Sequence, residues 1–148
     1  YESGRPLNIT MDNGVLGGLL FNTQKRPNKA SGVEPVAAGS DFDPFTGNYF
    51  NRGAWTDPGP LAFGDAPKRD GDVRGFPTFS EDINIFKTFS LTDTKRIRFE
   101  AQFGNIFDRI RYCDPTGASL NWSSPAFGTV NTQCNTPRSI QFGFRYDF

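Results

Sequence analysis

Residues able to do chemistry are sparse in this chain. There is no histidine among its 148 residues, which removes the commonest general base and the commonest metal ligand. The stretch "DFDPFTG" sets Asp41 and Asp43 ahead of Gly47, the outline of a calcium loop, but Arg52 stands where the twelfth-position carboxylate is needed. These carboxylates read as solvated turn residues. "NGVLGGLL" has glycines without a preceding strand or a following helix, so it reads as a turn and not as a phosphate cradle. Lys95, Arg96 and Arg98 beside Phe99 combine charge with an aromatic ring, yet strand alternation accounts for them without nucleic acid. Sixteen basic and sixteen acidic residues balance, so no overall field draws the chain to a polyanion. No catalytic residue, metal or cofactor is expected, and the chain reads as a non-enzyme.

Two further groups have candidate chemistry. Cys113 and Cys134 are the only cysteines, and nothing else is present to complete a thiolate or imidazole metal site. Their count and polar setting fit a disulfide made in an oxidising compartment, closing a loop of about 20 residues and contributing about 3 kcal/mol; the alternative is two separate thiols. Tyr49, Trp55 and Trp122 lie in turn-rich segments. They are candidate stacking contacts for a carbohydrate or peptide ligand, or else rings that pack the loops.

Strands and turns must position these residues. Sixteen Phe, sixteen Gly and eleven Pro against one Met describe strands and turns with little helix, and predict an all-β protein. No apolar run of about 18 residues exists to form a membrane helix. The spacing predicts strands over about 4–11, 79–90, 95–107 and 138–148, with long loops over 12–78 and 108–137. In the first, Leu7, Ile9 and Met11 share a face. In the second, Ile83, Ile85 and Phe89 share a face that Lys87 interrupts, with Phe86 opposite. After the tight polar turn "LTDTK", Ile97, Phe99, Ala101, Phe103 and Phe107 alternate with Arg98, Glu100, Gln102 and Gly104. The closing "SIQFGFRYDF" puts Ile140, Phe142, Phe144, Tyr146 and Phe148 on one side. The chain starts without an initiator Met or a signal peptide, and reads as a piece of something larger.

Tight and long connections alternate along this order. A transmembrane β-barrel has that asymmetry, with short periplasmic turns, long outer loops and strands of about ten residues that alternate lipid-facing and lumen-facing side chains. On that reading Ile97, Phe99, Phe103, Phe107 and Ile140 face lipid. A secreted β-sandwich also alternates, but its inner faces prefer Val, Ile and Leu to so many rings.

The succession "GNYFNRGAW", "FGDAP", "VRGFPTFSEDINIFKTFSLTDTKRIRFEAQFGNIFD", "FGTVN" and "PRSIQFGFRYDF" resembles the C-terminal end of TonB-dependent outer-membrane receptors, especially the Oar-like group with a carboxypeptidase-regulatory-like domain. The resemblance is clear from about Gly47 onward. It implies about four strands of a barrel of about 22, with two long extracellular loops, in the outer membrane of a Gram-negative bacterium. It also implies transport of a bulky ligand, with the rest of the barrel, its plug, TonB and outer-membrane lipid as partners. Phe142, Phe144, Tyr146 and Phe148 match the signal that the barrel-assembly machinery reads in that family. Four strands cannot close a barrel, and an open sheet leaves unpaired edges. A second expectation is therefore that identical copies satisfy one another, restacked as an extracellular cross-β (amyloid-like) filament.

Overall fold

The computed structural model describes residues 1–18, 24–39 and 42–148. Asp41 of the suggested calcium loop lies outside them. Among the described residues the fold is all-β, with two open antiparallel sheets. The smaller pairs β1 (Asn28–Lys29) with β2 (Trp55–Thr56); the larger runs β3 (Ile83–Ser90), β4 (Arg96–Gly104), β5 (Ser139–Asp147), in that spatial order. Single 3-10 turns occur at Gly14–Leu16, Arg52–Ala54 and Gly117–Leu120. The chain forms two compact units: a sheet unit of Tyr1–Glu2, Thr78–Arg111 and Gln133–Phe148, and a lobe of Ser3–Pro77 and Tyr112–Thr132.

The sheet unit follows from period-two alternation and one tight turn. Leu91 N–H donates to the Lys95 carbonyl at 2.9 Å, and the Thr92 hydroxyl accepts from Lys95 N–H at 3.1 Å. That turn sets the register of β3 on β4, with Phe89 opposite Ile97 and Ile83 opposite Phe103. β5 then pairs β4 with Tyr146 opposite Ile97 and Ile140 opposite Phe103. At the other end of β4 the chain leaves through Asn105 and Asp108, both at positive φ (48° and 52°), a conformation that these short polar residues tolerate better than most. Asp82 accepts from Asn105 N–H at 2.9 Å, and Asp108 accepts from Arg138 N–H at 3.1 Å. The polar side chains thus satisfy backbone groups where the ladder stops.

The lobe has little regular structure but its own core. Ile9, Tyr49, Phe50, Ala54, Trp55, Ala66, Val73, Phe127 and Val130 are buried together, flanked by Phe42, Phe76, Tyr112 and Trp122. Its rings meet edge-on or offset, Trp55 on Phe127 at 5.4 Å and Tyr49 on Phe76 at 4.5 Å, the geometry that aromatic quadrupoles favour. Irregular backbone is satisfied by long-range pairs: Leu7 N–H to Val73 O at 2.8 Å, Trp122 N–H to Thr10 O at 2.7 Å and Tyr49 N–H to Gly128 O at 2.7 Å. Two lysines have partners here, Lys25 buried and Lys29 partly so, as cations withdrawn from water require. Lys25 pairs Asp57 at 3.4 Å and donates to the Gly59 carbonyl, and Lys29 pairs Asp70 at 2.7 Å and Asp72 at 2.8 Å.

Burial, with the nearby Asp114 charge, raises the Tyr49 hydroxyl above its ordinary 10.0, and that hydroxyl donates to Arg74 O at 2.7 Å. Lys29 is raised above 10.5: burial lowers it, but the bonds and charges of Asp70 and Asp72 prevail. Both groups hold their protons more tightly when folded, so their contribution is complete below about pH 10 and is lost as pH rises through the raised values. Thermal melts from pH 7 to 12 are expected to show a flat plateau followed by a fall beginning near pH 10. A lobe equally stable at pH 12 contradicts this assignment.

Several expectations from the sequence are corrected here. Residues 4–11 form no regular strand and join neither sheet. They make isolated pairings, Pro6 with Arg74 and Thr10 with Asn121, because Ile9 and Met11 are taken into the lobe. Among the described residues the larger sheet is open, with three strands and two free edges, where about four strands of a transmembrane barrel are expected from the sequence. The outer-membrane placement and the transport role inferred from that barrel fall with it. The segments read as two long extracellular loops are largely the compact lobe. The restacked filament fails as well: the strands pair within one chain through a hairpin, and the long connections are packed around a core instead of lying extended as ladders. Among the described residues no helix is long and apolar enough to cross a membrane.

Candidate functional site

The larger sheet sorts its side chains almost completely. Directly opposed residues in an antiparallel pair share a side, so the register puts Ile83, Ile85, Phe89, Ile97, Phe99, Ala101, Phe103, Ile140, Phe142, Phe144 and Tyr146 on one face, with Lys87 alone among them. Phe148 continues this face, its ring 5.8 Å from Tyr146. Phe99 centres an aromatic row, 5.2 Å from Phe144 and 6.2 Å from Phe89. The Lys87 ammonium lies 5.9 Å over the Phe89 ring, a cation held by a ring on an otherwise apolar surface.

This face is exposed. Phe142 is 78% and Phe144 64% accessible, and both isoleucines of β3 are open to solvent. Three strands at about 4.8 Å spacing and about 3.3 Å rise outline roughly 400 Å² in projection. A patch of that size is within the range of the largest apolar patch on a typical monomer, and such patches are often functional. Among the described residues the outer edges of β3 and β5 also have no strand partner, so each presents a row of backbone donors and acceptors.

The opposite face is polar and tied together. Glu100 Oε1 accepts from Gln102 at 2.7 Å and from Asn84 at 2.9 Å, and its Oε2 lies 3.4 Å from Arg98. Those hydrogen bonds, with the Arg98 charge, hold its carboxyl below the usual carboxylate range. Phe86, the one apolar exception, is exposed, with the Arg98 guanidinium 4.3 Å from its ring. Sequence alternation places Phe86 on this side but gives no sign of that contact, which depends on the β3–β4 register.

The other residues singled out from the sequence are distributed as follows. Phe107 lies beyond β4, exposed, with the Arg109 guanidinium 5.4 Å from its ring. Tyr49 and Trp55 are core residues, the latter 2% accessible, so neither offers a ring to a ligand. Trp122 is half-buried against that core; its indole N–H donates to Arg52 O at 3.1 Å, while Arg52 Nη1 returns a bond to Trp122 O at 2.6 Å. The candidate ligand contacts are therefore lobe packing. Asp43 caps its own turn, accepting from Phe45 N–H at 2.9 Å. Cys113 and Cys134 are disulfide-bonded. Among the described residues no group of three His, Cys, Asp or Glu side chains converges as a metal ion requires.

Known families account for the alternating strands. A family model described as an outer membrane beta barrel domain matches residues 1–141. The chain belongs to that family. The narrower identity expected above, a TonB-dependent receptor of the Oar-like group, is corrected: the match is to this domain, and the sheets are open instead of closed into a barrel. No curated protein and no solved structure matches the chain.

Proposed function

We propose that the chain is a non-catalytic, sheet-building segment: its three-stranded sheet is completed by further antiparallel strands that pair along the free edges of β3 and β5. One observation carries the reading. A face apolar at eleven of twelve registered positions is left exposed between two unpartnered edges. Covering a single Phe of that face is worth about 1.5–3 kcal/mol, and each added strand also satisfies a row of backbone groups. The family's description as a β-barrel domain supports strand addition as the mode of association.

In isolation the edges meet only other copies of the chain. Wild-type protein in detergent-free buffer is therefore expected to sediment as an associated species, with the outward-facing amides of β3 and β5 slow to exchange. The double variant Phe142→Lys, Phe144→Glu is expected to shift the protein to monomer and to speed that exchange, with Trp55 fluorescence unchanged as a control on folding. A wild-type chain that stays monomeric at high micromolar concentration with fast-exchanging edges refutes the reading.

A further inference from the structure

On the polar face of the sheet two cations stand side by side, each beside a carboxylate of its own strand, Arg98 by Glu100 at 3.4 Å and Arg145 by Asp147 at 2.8 Å. Arg98 on β4 stands directly opposite Arg145 on β5, two cations whose β-carbons lie about 4.5–5.5 Å apart in such a pair, an unfavourable juxtaposition. Next along, Glu100 is opposite Gly143. With no side chain at 143, the surface drops into a recess of about 240 Å³ lined by Arg98, Glu100, Gly143, Phe144 and Arg145.

The hydrogen-bonding capacity left over in this recess is all of one kind. Both oxygens of Glu100 are engaged, Oε1 by two amides and Oε2 by Arg98. Arg145 spends its Nε on Asp147 Oδ1 at 2.8 Å, and its two terminal nitrogens have no acceptor among the described residues. Arg98 Nη1 has no acceptor among the described residues; its Nε is closed off from the surface, and its guanidinium lies 4.3 Å from the Phe86 ring. Guanidinium groups held this way are matched to planar or tetrahedral oxyanions, which they bind through paired donors.

We propose that the Arg98–Arg145 recess over Gly143 is a binding site for a small oxyanion, a carboxylate or a phosphate, which accepts from the guanidinium donors that Glu100 and Asp147 leave unused. The site stands on the sheet face away from the apolar surface and does not depend on what pairs with the edges.

The test is a titration of the full-length ¹⁵N-labelled chain with inorganic phosphate, with acetate, and with chloride at matched ionic strength, read at the Gly143 amide and the Arg145 Nε–H. Saturable shifts with phosphate or acetate are expected, and the two arms identify the preferred anion. Arg145→Gln is expected to weaken binding at least about tenfold, since it removes a charged bidentate donor. Gly143→Val is expected to abolish it by filling the recess; a β-carbon there meets only the Glu100 β-carbon, at the ordinary distance of 3.6 Å, so the strand pairing survives. Unperturbed β4 amide shifts confirm that survival in each variant. Equal shifts with chloride, no saturation by either oxyanion, or full binding by the Gly143→Val variant each overturns the proposal.

Discussion

Trp55→Ala is expected to unfold the lobe at ordinary temperature, at a cost of about 3–5 kcal/mol. Trp55 is among the largest fully buried side chains and touches both Phe50 and Phe127, the rings that close the core from residues far apart in the sequence. The irregular backbone around it offers few regular hydrogen bonds to compensate a cavity of that size. A loss approaching the low end of a typical domain's margin of about 5–15 kcal/mol follows. Trp55→Phe is expected to cost much less, because the indole Nε1 is buried without an acceptor; the change removes an unpaired donor along with part of the ring volume. Denaturant melts, together with amide exchange at Ile9 and Val73, separate the two variants. A cost under about 1 kcal/mol for the alanine change means that these rings are not the core of the lobe.

Gly4→Ala is expected to be nearly as damaging, for the opposite reason. A β-carbon on Gly4 falls far inside contact distance of the Gly75 carbonyl oxygen and 2.6 Å from its carbon. The obstacle is backbone, and it is fixed on the same stretch, since Gly75 N–H donates to Arg5 O at 2.9 Å and Leu7 N–H to Val73 O at 2.8 Å. Overpacking costs about 1–3 kcal/mol where side chains can yield, and here two main chains must separate, so the upper end or beyond is expected. Gly143→Ala is the matched control: its new methyl meets only ordinary contact, and its melt is expected to shift by less than about 0.5 kcal/mol. Equal melting of the two glycine variants contradicts the close approach of residues 4 and 75.

The contrast between the two units explains what was legible in the sequence. Ile97, Phe99, Ala101 and Phe103 alternate with Arg98, Glu100 and Gln102, and Ile140 to Tyr146 do the same; period two is a local property, so the strands and their faces can be read from adjacent residues. "LTDTK" fixes the hairpin in the same local way. The lobe has no such period. Ile9, Trp55, Val73 and Phe127 are single apolar residues among Gly, Pro and Asp, and only their meeting in space makes them a core. Tyr49 and Trp55, isolated aromatics in turn-rich sequence, were for that reason open to reading as ligand contacts. A membrane barrel does not follow from the alternation: a strand with one apolar face says which side is apolar, and nothing about how many neighbours it has. The Arg98–Arg145 opposition depends on the β4–β5 register, which two strands separated by the segment 105–138 do not announce.

The reciprocal clasp between Arg52 and Trp122, like the bonds of Thr10 to Leu120 and Trp122, joins segments 70 and more positions apart. On a ribosome adding roughly 5–20 residues per second, several seconds pass between the emergence of residue 77 and that of Phe127 and Val130. Throughout that interval Ile9, Phe50 and Trp55 lack the rings that will shield them. The core of the lobe can therefore close only after residues 112–132 have been translated.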